Sequence, residues 1–191
     1  ALPGISGNGT DFIEGLYERG LRSFVVPENF SGFSKFPGAF FLKVKDVLDA
    51  LQQLAAYHRS RFTIPVIGIT GSNGKTIVKE WLYQLLHDEY NIVRSPKSYN
   101  SQIGVPLSIW QIDEQHNLGI FEAGISQPGE MEMLEKIIQP SIGVLTNIGE
   151  ALALSDTAKA QTMDHDGDLF ARVVGAAPRR VIAVIGCEDE H

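Results

Sequence analysis

The chain has 191 residues, of which 43% are hydrophobic and 20% charged, as in a folded globular protein rather than a disordered one. Its formal net charge of −7 argues against nucleic-acid binding through a basic surface. The single cysteine, Cys187, excludes a disulfide within the chain and favours a reducing, cytoplasmic setting. No apolar run approaches the roughly 18 residues that a transmembrane helix requires, so we expect no membrane span.

The first part of the chain, residues 1–62, is predicted to form a small α/β domain. Apolar residues at helical spacing predict a helix that ends at Gly20. Two short apolar runs, at 23–26 and 39–42, predict strands. A strongly amphipathic helix is expected to follow from Val47.

The second part, residues 63–191, alternates strands with helices. In chain order the pattern predicts a strand at 64–69, a helix at 76–87, strands at 92–93 and 118–121, a helix at 129–138 and a strand at 142–145. Such alternation predicts an α/β fold in which a parallel sheet carries helices on both faces. The apolar stripe of the first of these helices includes Trp81, which we expect in the core. The tail, 151–191, is uncertain, with a possible helix at about 155–174, which lies outside the residues described below, and a possible strand at 181–185.

A glycine-rich loop joins the first strand of this part to its helix: Thr70, Gly71, Ser72, Asn73, Gly74, Lys75 and Thr76. Its glycines allow the backbone to direct several N–H groups at one anion, and the following helix adds the positive end of its dipole. Lys75 supplies a cation for the β- and γ-phosphates, and Thr76 offers a hydroxyl to Mg²⁺. The segment therefore predicts an ATP-binding loop of the P-loop type. The alternative is an ordinary Asn-Gly turn followed by a chance Lys-Thr pair.

A carboxylate for the metal is expected at the carboxyl end of a neighbouring parallel strand. Glu122 directly follows the apolar run at 118–121 and is in that position. We therefore predict that Glu122 and Thr76 bind Mg²⁺. The alternative for Glu122 is a surface or helix-capping role.

Four segments together resemble the Mur ligases, which build the peptide stem of bacterial peptidoglycan. These segments are 68–76, 98–107, 121–130 and 140–150. The resemblance extends over about residues 7–151. It implies that 1–62 is part of a UDP-sugar-binding domain and that 63–191 is an incomplete ATP-binding central domain.

The resemblance also implies a reaction and its participants. Members of this family are ATP-dependent amide-bond ligases that act through an acyl phosphate, with ATP and Mg²⁺ as cofactors. By resemblance, Lys75, Glu122 and Asn147 are catalytic, and Asn100 and Ser101 bind the substrate. The similarity is greatest to members that use UDP-MurNAc-peptide and D-Ala-D-Ala as substrates, in a form fused to or acting with alanine racemase.

Three alternatives for the function remain open at this stage. The leading one is an ATP-dependent peptide ligase of peptidoglycan synthesis, of which we expect this chain to be an inactive fragment, because family members are much longer; Leu152, which stands where the family has a histidine, favours the third. A folylpolyglutamate- or cyanophycin-type ligase is the second possibility. The third is a nucleotide-binding module without ligase activity.

Overall fold

The computed structural model describes residues 1–2, 7–124, 129–146 and 182–184. The chain forms two compact units, Ala1–Gln53 and Leu54–His191. The sequence predicts a domain boundary after residue 62, whereas the two units of the structure divide between residues 53 and 54. That domain assignment stays a prediction. Within the described part of the chain, every helix is too short or too polar to cross a lipid bilayer.

The first unit contains a short parallel sheet and its helices. In chain order these elements are a 3₁₀ turn (Gly9–Phe12), α1 (Ile13–Glu18), β1 (Ser23–Pro27), a 3₁₀ turn (Phe33–Lys35), β2 (Phe40–Val44) and the start of α2 (Val47–Ser60). Strands β1 and β2 pair in parallel, with Ser23 opposite Phe40. Aromatic rings fill the core of this unit, and Phe24 stacks on Phe41 at 5.4 Å between ring centroids. Burying large apolar rings is the main stabilising contribution available to so small a sheet.

The second unit is built on a five-stranded parallel sheet. Its elements are β3 (Val66–Thr70), α3 (Lys75–Leu86), β4 (Ile92–Arg94), α4 (Gly104–Ile109), β5 (Leu118–Glu122), α5 (Glu130–Ile138), β6 (Ile142–Leu145) and β7 (Ile182–Val184). The strand order is β4-β5-β3-β6-β7, and every pairing is parallel. The chain passes from β3 to the edge strand β4, returns to β5 between them, and then crosses to the other side of β3 at β6. In open α/β sheets, ligands bind at the carboxyl ends of the strands beside such a reversal.

Helices cover both faces of this sheet, as the strand–helix alternation predicts. Side chains alternate between the two faces of β3. Ile67 and Ile69 pack with Val78 of α3 on one face. Val66 belongs to the opposite core cluster, with apolar residues of α4 and α5 such as Leu134. The predicted fold class is therefore confirmed.

Helix α4 is a finding that the sequence patterns do not predict. The segment carries Gly104 and Pro106, both of which disfavour a helix interior. Pro106 is tolerated because it lies in the first turn, where backbone N–H groups have no intrahelical partner. Gly104 is required for packing, since a Cβ there would lie 2.9 Å from the Tyr99 Cα.

The prediction that Trp81 lies in the core is wrong. Its side chain is 61% exposed, in line with exposed Ile77 and Leu85 along the same helix. Helix α3 turns a different line of apolar residues toward the sheet: Val78, Leu82 and Leu86. The apolar stripe in the sequence is therefore wider than the face that the sheet can bury.

Candidate functional site

The glycine-rich loop occupies the turn between β3 and α3, at the carboxyl end of the sheet. Gly71 and Gly74 have φ angles of +132° and +82°, which side-chain-bearing residues rarely adopt. Gly74 precedes the first residue of α3, Lys75. The positive end of the helix dipole therefore faces the loop, as anion binding requires.

The loop is anchored from the side by Thr146, directly after β6. The backbone N–H of Thr146 donates to the Thr70 carbonyl at 2.9 Å. Its hydroxyl group also donates to the Thr70 carbonyl, at 3.2 Å, and to the carbonyl of Asn73. Thr146 is buried, so these bonds are shielded from water and restrict the loop conformation.

The side chain of Lys75 bends back over the loop. Its Nζ donates to the Gly71 carbonyl at 2.6 Å and to the Ser72 carbonyl at 3.3 Å. Phosphate oxygens are stronger acceptors for an ammonium group than neutral carbonyls are. A cation held over a loop of this shape fits a phosphate group.

Thr76 and Glu122 are brought together by the pairing of β3 with β5. Ile69 lies opposite Glu122 in the sheet register, so the glutamate is adjacent to the start of the loop. The hydroxyl of Thr76 donates to Glu122 Oε2 at 3.1 Å. Glu122 is fully buried. The structure thus places a hydroxyl group and a buried carboxylate side by side at the loop.

The second oxygen of Glu122 is incompletely satisfied. Among the described residues Oε1 accepts no well-aligned hydrogen bond, and its close neighbour is the Lys79 ammonium at 2.8 Å. Oxygen ligands with negative charge suit Mg²⁺, which usually keeps several waters and uses one or two carboxylates plus substrate phosphates. No cluster of three or more histidine, cysteine, aspartate or glutamate side chains occurs among the residues that the model describes. The Thr76–Glu122 pair therefore fits Mg²⁺ bound together with a nucleotide.

Asn100 lies beside the same carboxylate. Its Nδ2 is 3.5 Å from Glu122 Oε2, and its carbonyl accepts the Gly124 N–H at 2.8 Å. The neighbouring Ser101 hydroxyl accepts the N–H of Gly104 at 3.1 Å, at the start of α4. The substrate-binding roles of Asn100 and Ser101 stay predictions. Asn147 lies outside the described residues.

Besides Thr146, two residues of this site are not predicted by the sequence patterns. Lys79 of α3 is completely buried, and Ser95 is 1% exposed. The Ser95 hydroxyl accepts the backbone N–H of Glu122 at 3.1 Å, and its carbonyl accepts a hydrogen bond from Lys79 at 2.8 Å. The available signal was a lysine next to Val78 on the inward side of an amphipathic helix. Ser95 carries no local signal, because its role depends on strand pairing.

Glu80 extends this charged network toward solvent. It lies 3.4 Å from the Lys79 ammonium and pairs with Arg94 of β4. Burial alone would raise the pKa of Glu80, but the hydrogen bond and charge of Arg94, with the charge of Lys79, lower the pKa below its usual value. The Arg94 guanidinium also lies 3.7 Å above the ring of Tyr83. The positive charge of Arg94 is thus balanced by the carboxylate of Glu80.

Comparison with known sequences gives a consistent result. Residues 69–153 match the model of the Mur ligase middle domain. The UDP-N-acetylmuramoyl-tripeptide–D-alanyl-D-alanine ligase of Treponema pallidum is 34% identical over 155 residues, covering 78% of this chain and 34% of the relative. The enzyme of the same name from a Synechocystis species is 36% identical over 173 residues, covering 86% of this chain and 37% of the relative. The chain thus spans about a third of the length of these relatives.

Solved structures agree on the fold. MurF of Acinetobacter baumannii superposes with a TM-score of 0.80 at 24% identity, over 96% of this chain and 44% of that one. MurF ligase of Thermotoga maritima, solved in complex with ADP, gives a TM-score of 0.77 at 27% identity, over 96% of this chain and 46% of that one. With the sequence matches and the loop described above, these likenesses show that the chain belongs to the Mur ligase family.

Proposed function

We propose that this chain is the nucleotide-binding part of an ATP-dependent ligase that joins D-alanyl-D-alanine to UDP-N-acetylmuramoyl-tripeptide. The observation that carries the proposal is the 3.1 Å contact between the Thr76 hydroxyl and the buried Glu122 carboxylate, at the mouth of the glycine-rich loop. Relatives at 34% and 36% identity bear the name of that ligase. A structural neighbour at 27% identity is described as a complex with ADP.

Each residue of the site has a role in this proposal. The loop N–H groups and Lys75 hold the β- and γ-phosphates, and Thr76 with Glu122 holds Mg²⁺. When bound, ATP with Mg²⁺ supplies the phosphoryl group that activates a substrate carboxylate as an acyl phosphate. The contribution of the chain is fixed positive charge directed at oxygens on which negative charge develops. In this proposal Asn100, whose amide is 3.5 Å from Glu122 Oε2, and the neighbouring Ser101 bind the substrate.

Several parts of the proposal rest on resemblance. Asn147 belongs to the proposed catalytic set, although it lies outside the described residues. Fusion to or action with alanine racemase is likewise inferred from the resemblance, whereas a cytoplasmic location is proposed from the single cysteine, Cys187. The whole activity is a proposal for the protein in which this segment functions, because the chain spans about a third of its named relatives.

The first test is nucleotide binding by the chain itself. We expect MgADP and MgATP to bind weakly, and the substitution Lys75→Ala to reduce affinity by about tenfold or more, since it removes a charge-assisted phosphate contact. Lys136→Ala, an exposed lysine on α5, is the matched control and should leave affinity unchanged. Isothermal titration calorimetry measures both. An unchanged dissociation constant for Lys75→Ala would contradict the assignment of the loop.

The second test is phosphate release with both acceptor substrates. We expect little or no turnover from this chain alone when MgATP, UDP-N-acetylmuramoyl-tripeptide and D-Ala-D-Ala are present. Release that requires both substrates would assign the ligase reaction to the chain itself. Release with a folate or cyanophycin substrate instead would favour another ligase type. Nucleotide binding without release on any substrate is the result expected both of an incomplete ligase and of a binding module.

A further inference from the structure

Lys79 is a buried cation that the phosphate loop does not use. Its side chain is 0% exposed, although lysine is almost never fully buried without a partner. The ammonium donates to the carbonyls of Ser95 and Lys97 and lies 2.8 Å from Glu122 Oε1. Glu80 Oε1, at 3.4 Å, is a second and more exposed carboxylate neighbour. Lys79 therefore joins α3, the segment after β4 and the end of β5 in one network.

The two oxygens of Glu122 face different partners. Oε2 contacts the Thr76 hydroxyl at 3.1 Å and the Asn100 amide at 3.5 Å, on the side of the loop. Oε1 is next to the Lys79 ammonium. A buried carboxylate without a compensating charge is strongly destabilising, because burial removes its hydration. In the metal-free protein Lys79 supplies that compensation.

The same charge opposes a free divalent cation. A metal ion bound to Glu122 would share that carboxylate with the Lys79 ammonium, and like charges in a buried site repel strongly. The negative charge of nucleotide phosphates offsets this repulsion when metal and nucleotide bind together. The site is therefore suited to the metal–nucleotide complex and unsuited to the metal alone.

We infer that Lys79 is a positioning residue that acts as an internal counter-ion of Glu122: it holds the carboxylate in place without metal and makes Mg²⁺ binding depend on nucleotide. This inference deepens the proposed function and rests on it for the identity of the bound nucleotide. It assigns Lys79 no contact with the substrate. If Lys79 only caps the Ser95 and Lys97 carbonyls, removing its charge should not increase the affinity of the site for a metal ion.

The test uses Lys79→Met, which keeps most of the apolar length of the side chain and removes the charge. The probe is Mn²⁺, a divalent ion that accepts the same oxygen ligands, followed by electron paramagnetic resonance without nucleotide. We expect Lys79→Met to bind Mn²⁺ about tenfold or more tightly than the unaltered chain, because a repelling charge has been removed. Lys136→Met is the matched control and should bind Mn²⁺ as the unaltered chain does. Equal or weaker Mn²⁺ binding by Lys79→Met would overturn the inference.

Thermal unfolding gives an independent measurement. The melting temperature of the unaltered chain should not respond to about 1 mM Mg²⁺, the order of the dissociation constants of weak divalent sites. That of Lys79→Met should be lower without Mg²⁺ and should rise when Mg²⁺ is added. If Lys79→Met does not fold, the double variant Lys79→Met/Glu122→Gln decides. Folding of the double variant supports the inference, because both charges are then absent; failure of both to fold overturns it.

Nucleotide binding separates this inference from the proposed function. If the unaltered chain binds neither MgADP nor MgATP, the proposed function fails, whereas the Mn²⁺ comparison still decides the role of Lys79. If the unaltered chain binds nucleotide but Lys79→Met shows no change in Mn²⁺ affinity, only the inference fails.

Discussion

Arg59 offers a quantitative test of how the second unit is held together. This residue of α2 is 5% exposed, and its guanidinium donates to four backbone carbonyls. The acceptors are Ile138 at 2.9 Å, Phe62 at 2.6 Å, Ile64 at 3.3 Å and Gln139 at 3.2 Å. One side chain thus joins the end of α2 to the end of α5 and to the segment before β3.

The substitution Arg59→Met removes all four bonds and keeps the apolar part of the side chain. Hydrogen bonds to a charged group contribute roughly 1.5–3 kcal/mol each, but the bonds at 3.2 and 3.3 Å are long and the guanidinium also loses hydration on burial. Burial lowers the pKa of Arg59, which reflects that loss of hydration. We therefore count only the two short bonds, each at the lower end of that range, and expect the free energy of unfolding to fall by about 3 kcal/mol.

Urea unfolding followed by circular dichroism measures this change. Arg61→Met is the matched control, since Arg61 is an exposed arginine two residues away, and it should change stability by less than about 0.5 kcal/mol. The reasoning would be refuted if Arg59→Met stayed within about 1 kcal/mol of the unaltered chain at an unchanged denaturant slope.

Three further predictions concern the site and the core. Gly74→Ala should cost about 1–2 kcal/mol of stability and weaken MgADP binding in calorimetry, because φ is +82° there. Gly124→Ala would place a Cβ 2.9 Å from Asn100 Cγ, so it should displace that amide from Glu122 and reduce MgADP affinity; unaltered affinity would show that the Asn100 contact does not support Glu122 at the nucleotide site. Leu134→Ala, in the fully buried core, should cost about 3 kcal/mol in urea unfolding. Leu85→Ala, at a position 77% exposed, should change stability by less than about 0.5 kcal/mol.

The features that could be predicted from the sequence are those encoded locally. The apolar run before the loop, the glycines at positive φ and the amphipathic helix after it each carry their own signal, so β3, the loop and α3 were predicted within about two residues. Glu122 was found by a topological rule, because a carboxylate at the end of an apolar strand reaches the edge where the loop lies. The structure agrees, with Glu122 paired beside β3.

The features that could not be predicted depend on contacts between distant segments. Ser95 and Thr146 acquire their roles through strand pairing, and neither residue type indicates such a role in its own neighbourhood. The burial of Lys79 could not be predicted, because lysine usually lies at the surface. The exposure of Trp81 could not be anticipated either, since helical periodicity does not say how much of an apolar stripe the sheet will cover.

The dependence of the loop on Thr146 has a consequence for the order in which this protein can be completed during synthesis. Strands β3 and β6 are neighbours in the sheet, yet Ile67 pairs with Ile142, 75 positions further along the chain. Pairings between such distant segments form late and slowly. The glycine-rich loop is therefore translated early, but its hydrogen bonds with Thr146 can form only after residue 146 has left the ribosome.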